Sequence, residues 1–255
     1  MTTRQSHPLR PTTWRTRTAF WWIFLSALAI AVLAPMKYLT SSLQNLADRH
    51  DDFAANFAAG PPIVHAALYL HIVFAALALL LSPLQFAPRL RARVPRLHRV
   101  LGRVAFGSIG VAGCAGLVLA PGNMAGPIGT AGFGTLALLW VTFAAIAFRA
   151  IRRGDIATHR RWAIRTFALT YAAVTLRLWL VVLVPAQIAL TGMDAQVAFD
   201  HAYHLVPFLG WVPNLIIAER YLAVRHPTRG NPSKSSTARD AELETLHTSS
   251  RRAER

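Results

Sequence analysis

The chain has a single cysteine, Cys114. That excludes an intrachain disulfide and any cysteine-built metal site. Acidic residues are also scarce, 11 against 27 Lys and Arg, and only 15% of residues are charged. A soluble domain carries about a quarter charged residues. Several signature motifs are missing: His-Glu-x-x-His, Gly-x-Ser-x-Gly, a phosphate-binding Walker loop and a clustered set of histidine boxes. Membrane metalloprotease and membrane serine-hydrolase readings lose their main support with them, and no catalytic residue or enzyme class is assigned. The net charge of +16 does not indicate nucleic-acid binding. The cations are spread over many short segments, with no aromatic platform beside them.

What remains is apolar sequence. Mean hydropathy is +0.36, and apolar runs of about 17–20 residues recur, enough to cross ~30 Å of hydrocarbon. Six spans are expected, near residues 19–36, 63–86, 104–121, 131–148, 162–188 and 203–222. Arg177 interrupts the fifth, and the sixth is free of charge only from Leu205 to Ala218. Charge placement gives the orientation. Of the 27 cations, 23 lie before span one, around the second and fourth connections, or from Arg220 onward. Lys and Arg mark the cytoplasmic side. Both termini are therefore expected in the cytoplasm, and an even number of spans is required. The expected architecture is an all-α polytopic bundle in a bacterial plasma membrane. Residues 1–18 form a cytoplasmic tail, 19–222 the six-helix transmembrane domain and 223–255 a disordered cytoplasmic tail. The segment 38–62 is an external loop with room for a short interfacial helix, and Pro61-Pro62 suits the start of span two.

Two polar stripes run through this apolar frame. His159, Thr166, Thr170 and Arg177 fall on one helical face, and His71, Ala75, Ala78, Ser82 and Gln85 on another. Ionisable groups inside a bilayer are costly, so they usually face the bundle interior and mark function. His71, Arg177 and His204 are expected near the external side. Gln85, His98, Arg103, His159, Arg165 and Glu219 are expected near the cytoplasmic side. His98 and His159 each open a helix beside arginines, where unpaired N–H groups suit an anion. Headgroup-level placement explains the same two residues equally well. His65 reads as structural, Asn214 as a cross-helix hydrogen-bonding residue and Cys114 as small buried packing. The third span carries Gly107, Gly110, Gly113 and Gly116. These provide either close helix packing or room for a flat cofactor.

The segments YLHIVFAALALLLSPLQF, RLHRVLGRV, GDIATHRRWAIRTFALTYAAVTLRL and WVPNLIIAE together resemble the predicted bacterial membrane proteins of domain of unknown function 2306. The resemblance covers residues 65–220. It implies a membrane bundle and points to His71, Gln85, His98, Gly102, Arg103, His159, Arg160, Trp162, Arg165, Arg177, Asn214 and Glu219, without an activity. A weaker likeness is to bis-histidine haem b carriers of the cytochrome b561 type. It implies haem b held by His98 with His159 and by His71 with His204, and a redox partner. Three functions are open at this point: an electron carrier, a transporter or small-molecule (anion) binding protein, and a noncatalytic scaffold. Each has the lipid bilayer as its surroundings.

Overall fold

The computed structural model describes residues 14–49 and 51–225, and all regular structure among them is helical. Two compact units are distinguished, Met1–Ala218 and Glu219–Arg255. The expected tails fall largely outside the described residues.

The long helix α1 (Trp14–Thr40) is followed by two short ones, α2 (Leu43–Asp48) and α3 (Asp52–Ala58). Ser42 and Asp51 cap these through their side chains, on the N–H groups of Asn45 and Ala54. Pro62 opens α4 (Pro62–Gln85), as the Pro-Pro pair suggests. The short α5 (Pro88–Arg93) leads into α6 (Pro95–Leu119). A 3-10 turn at Ala120–Gly122 then connects to α7 (Gly126–Arg152). Gly154, at φ +79°, turns the chain into α8 (Ile156–Thr170). Tyr171 breaks the helix before α9 (Ala172–Thr191). The last two helices are α10 (Ala195–Leu209) and α11 (Val212–Arg225).

Five helical stretches are long and apolar enough to cross a membrane: Arg17–Thr40, Pro62–Gln85, Pro95–Gly122, Gly126–Arg152 and Ile156–Thr191. The last runs through the α8–α9 break. The sixth expected span, 203–222, is not one helix but the end of α10 and most of α11, divided at Gly210–Trp211. Pro213 explains the division, because it has no N–H for the carbonyl of Leu209. The indole of Trp211 donates instead to the Pro207 carbonyl at 2.8 Å.

Within the first unit, α4 packs against α1 and α6, and α6 against α7. The largest core cluster is built from Ala78, Ile109, Ala112, Trp140, Ala144, Leu169, Ala172 and Trp211. Half of these are alanine. Small residues let membrane helices approach closely, where no solvent-driven force between helices exists. Gly113 and Gly132 serve the same end. A Cβ on Gly113 would lie 2.3 Å from Val141 Cγ2, and one on Gly132 would lie 2.5 Å from Pro207 Cβ. Large apolar residues such as Trp22, Leu33, Val181 and Leu190 are left on the outside. Cys114 is exposed, contrary to the packing role expected for it. Its neighbours Ala112, Gly113 and Ala115 take the inward positions.

Candidate functional site

The change of partners at Tyr171 creates an internal space. Helix α8 packs against α7 and α4, whereas α9 packs against α10 and α1. Beyond the break, the middle of the bundle is left to a cavity of about 560 Å³. Residues of α1, α3, α4, α6, α7, α9 and α10 line it, with Leu169 and Thr170 from the end of α8. Most of the wall is apolar. The polar exceptions are few: Lys37, Tyr38, His71, Asn123, Thr170, Arg177 and Tyr203, with the indoles of Trp140 and Trp211.

Each of these is positioned by its own helix. His71 donates from Nδ1 to the Ala112 carbonyl of α6 at 2.8 Å. That bond fixes the tautomer and leaves Nε2 as an acceptor. Gly116 makes the approach possible, because a Cβ there would sit 3.3 Å from the same Nδ1. Thr170 is buried, accepts from Trp140 Nε1 at 2.9 Å and donates to the Thr166 carbonyl. Arg177 donates from Nη1 to the Ala173 carbonyl one turn back, at 2.7 Å. Arg177 is exposed, and its side chain borders the cavity. Its charge acts on His71, Tyr38 and Tyr203. Lys37 is different, because its ammonium is paired with Asp51. Burial raises the affinity of Asp51 for a proton, but the bond from Lys37 and the N–H of Ala54 outweigh that. Its carboxyl is held below the usual aspartate value.

Helix α3 covers one end of the cavity. Phe53 and Phe57 line it, their rings 5.0 Å apart, and Tyr38 meets Phe53 edge-on at 5.9 Å. Polar bonds hold this cap on three sides. One is Lys37–Asp51 to α1. His65 Nε2 donates to the Phe57 carbonyl at 3.0 Å, a structural role. Asn56 donates to the Gly122 carbonyl at 2.6 Å.

The expected residues separate into groups. His71 and Arg177 come together on the cavity. His204 is exposed, bonds the Asp200 carbonyl of its own helix at 2.7 Å and does not line it. Its neighbour Tyr203 does. The spacing explains this: Phe199, Tyr203, Val206, Pro207 and Gly210 line the cavity at steps of three and four, and His204 stands one residue, about 100°, off that stripe. The same periodicity in the sequence would have singled out Tyr203. Tyr38, one turn from the end of α1, has no such pattern around it.

At the arginine-rich end, His98, Gly102 and Phe106 form one face of α6. Gln85 Oε1 occupies the place a Gly102 side chain would take, 3.1 Å from its Cβ position. Phe106 meets the His159 ring at 6.0 Å, and His98 is close enough for the two imidazole charges to interact. His159 donates from Nδ1 to the Ala147 carbonyl at 2.9 Å. Gln85 Nε2 and His98 Nδ1 are buried without a protein partner. The N-terminus of α8 is already capped by the Asp155 carboxylate, which accepts from Thr158 N–H at 2.9 Å. An anion there would face a like charge. Arg103 is exposed, and Arg165 lies over the Trp162 ring at 4.7 Å. Asn214 bonds Thr175 at 2.9 Å and the carbonyls of Ala168 and Gly210, joining α11 to the α8–α9 break. Glu219 belongs to the second unit.

The family model described as Predicted membrane protein (DUF2306) matches residues 68–222. The chain belongs to this family. The DUF2306 match begins inside α4, so α1 and the α2–α3 cap precede it, while His71, Arg177 and Tyr203 lie within it. No curated protein and no solved structure matches the chain.

Proposed function

We propose that this DUF2306 protein binds, or carries across the bacterial plasma membrane, a small amphipathic anion, with Arg177 as the group that recognises its charge. One observation carries the reading. Arg177 sits on an apolar cavity, and no Asp or Glu is among the described residues that line it. Arg177 is exposed on that wall, and at membrane depth a cation facing apolar surroundings needs a compensating charge or several hydrogen bonds. The Ala173 carbonyl supplies one such bond, and the remaining guanidinium donors suit a carboxylate or phosphate held in bidentate fashion. The phenols of Tyr38 and Tyr203 and the Nε2 acceptor of His71 add hydrogen-bonding groups for the same head. About 560 Å³ is within the ~300–1,000 Å³ typical of small-molecule sites, which are likewise mostly apolar with a few polar groups.

A bis-histidine haem finds less support. Only His71 of the four candidate ligands borders the cavity. At the other end, Gln85 fills the space beside Gly102 that a macrocycle between His98 and His159 would need. In membrane terms, α10 and α11 act together as a sixth, kinked crossing. Residues 195–218 rise ~36 Å at 1.5 Å per residue. On this reading both termini are cytoplasmic and the α2–α3 cap is external, in keeping with the distribution of Lys and Arg.

The test uses protein in lipid nanodiscs titrated with 1-pyrenedodecanoate, a fluorescent long-chain carboxylate. A lost charge-assisted bond costs about 1.5–3 kcal/mol, so Arg177→Gln is expected to weaken binding by at least about tenfold. His204→Ala is expected to leave it unchanged. Equal affinity for Arg177→Gln and the parent protein would overturn the proposal, as would a Soret band in the purified protein that disappears in His71→Ala.

A further inference from the structure

We infer that the ligand enters this cavity sideways from the bilayer, through the seam between α1 and α4, and is therefore a lipid-soluble anion with an apolar chain rather than a water-soluble one. The inference rests on the reading of Arg177 as an anion site. Four observations carry it.

First, a second hollow lies on the seam, lined by Ala31, Val32, Pro35, Met36, Leu39, Thr40, Val73 and Ala76. Ala31, Pro35 and Ala76 also line the main cavity, so the two hollows adjoin and share these residues. Second, the seam lacks polar ties. Among the described residues of the hollow no side-chain hydrogen bond joins α1 to α4, and Thr40 bonds the Met36 carbonyl of its own helix. α1 packs chiefly on α4, and its polar ties lie elsewhere: Ser26 shares a 2.7 Å hydrogen bond with the Tyr171 hydroxyl, and Lys37 pairs with Asp51. Both leave its α4 side resting on apolar contacts. Third, at the α3 end the cavity is covered by Tyr38, Phe53 and Phe57, and the cap there is held by three polar bonds. Entry there requires breaking an ion pair and hydrogen bonds. Entry at the seam requires displacing methyl groups, in a solvent as apolar as they are. Fourth, the rim of the hollow is exposed and apolar, with Val32, Met36, Leu39 and Val73 all on the surface.

Such a route suits a molecule already partitioned into the membrane. Its chain slides between α1 and α4, and its charged head meets Arg177 once inside. Pro35 favours the movement, since it removes a backbone bond within α1 beside the hollow.

The test ties the seam shut without touching the cavity. Val32 and Val73 line the hollow only. The double variant Val32→Cys with Val73→Cys, made with Cys114→Ser to remove the native thiol, is purified in nanodiscs. It is compared before and after treatment with a short bismaleimide. Both samples are the same folded protein, so misfolding cannot explain a difference. 1-Pyrenedodecanoate is delivered from phosphatidylcholine vesicles. Cross-linking is expected to slow both association and dissociation by at least about tenfold while leaving the equilibrium affinity within about twofold, the signature of a gate. Protein carrying only one of the two cysteines, treated in the same way, is expected to keep its rates. Unchanged rates after cross-linking would overturn the route. So would a rate increase in Asp51→Asn, which loosens the cap. Failure of the untreated protein to bind the probe would instead count against the anion reading itself.

Discussion

At the scale of single residues, the glycines decide where this bundle can close. Gly132 on α7 faces Pro207 on α10, with a missing Cβ that would lie 2.5 Å from Pro207 Cβ and 2.9 Å from its carbonyl carbon and oxygen. Two of those three atoms are backbone and cannot rotate away. Gly107 and Gly110 have nothing within 4 Å of the same position. Gly132→Ala is therefore expected to destabilise the protein by about 1–3 kcal/mol, the usual cost of overpacking, whereas Gly107→Ala is expected to be neutral or mildly stabilising through helix propensity. Thermal unfolding of the two variants in the same detergent checks this, and equal melting temperatures would remove the packing role. Part of this scale was legible in the sequence. His71 and Arg177 border one cavity, although Arg177 is exposed and the break at Tyr171 divides the stripe from His159 to Arg177 between two helices. Cys114 was not legible. In a helix rich in Gly and Ala, many faces look equally packable, and only the neighbours show which one is inside.

At the scale of elements, the α2–α3 cap is more than a loop. The sequence offered acidic residues and a Gly-Pro-Pro stop between two spans, which suggested a short interfacial helix. It did not show that Phe53 and Phe57 turn inward to roof a cavity, because a seven-residue helix gives too few positions for a reliable period. Electrostatics gives the cap a pH dependence. The Asp51 carboxyl is held below its usual value of 3.8, so the folded form binds its proton less readily than the unfolded chain does. The stabilisation it provides is complete above that value and is lost as pH falls through the lower, folded-state value. Asp51 is only partly buried and its partner Lys37 is exposed, so the effect is modest. Hydrogen exchange of α3 is expected to be steady from neutral pH down to about pH 4, after correction for intrinsic rates, and to rise below it. In Asp51→Asn, protection is expected to be lower at neutral pH and flat across the acid range. A parent-like acid profile in that variant would assign the transition to another group.

At the scale of the whole molecule, helix length and charge give different numbers of crossings. Five stretches are long and apolar enough to cross, and an odd number of crossings would leave the two ends on opposite sides. By charge, 23 of 27 cations fall in segments that six crossings place together. Charge is the stronger argument, because a broken helix can still span where its irregular backbone is buried in protein. The break between α10 and α11 meets that condition. Gly210 and Trp211 are buried, Asn214 bonds the Gly210 carbonyl at 3.2 Å, and the Trp211 indole bonds the Pro207 carbonyl. The α8–α9 break is satisfied in the same way, with Asn214 on the Ala168 carbonyl at 3.2 Å. One polar side chain thus supports both interruptions, so a kinked pair of short helices can serve as a crossing. The span expected over 203–222 ran through Pro213 and Asn214 as one helix, because a single sequence does not show that the Asn214 side chain reaches carbonyls at both breaks. Alkaline phosphatase fusions settle the count, since the enzyme is active only when exported. Fusion after Gly122 is expected to give high activity and fusion after Arg225 almost none, with protein levels matched by immunoblot. High activity at Arg225 would mean five crossings, an exported C-terminal tail and a positive-inside rule broken by eight cations from Arg220 onward.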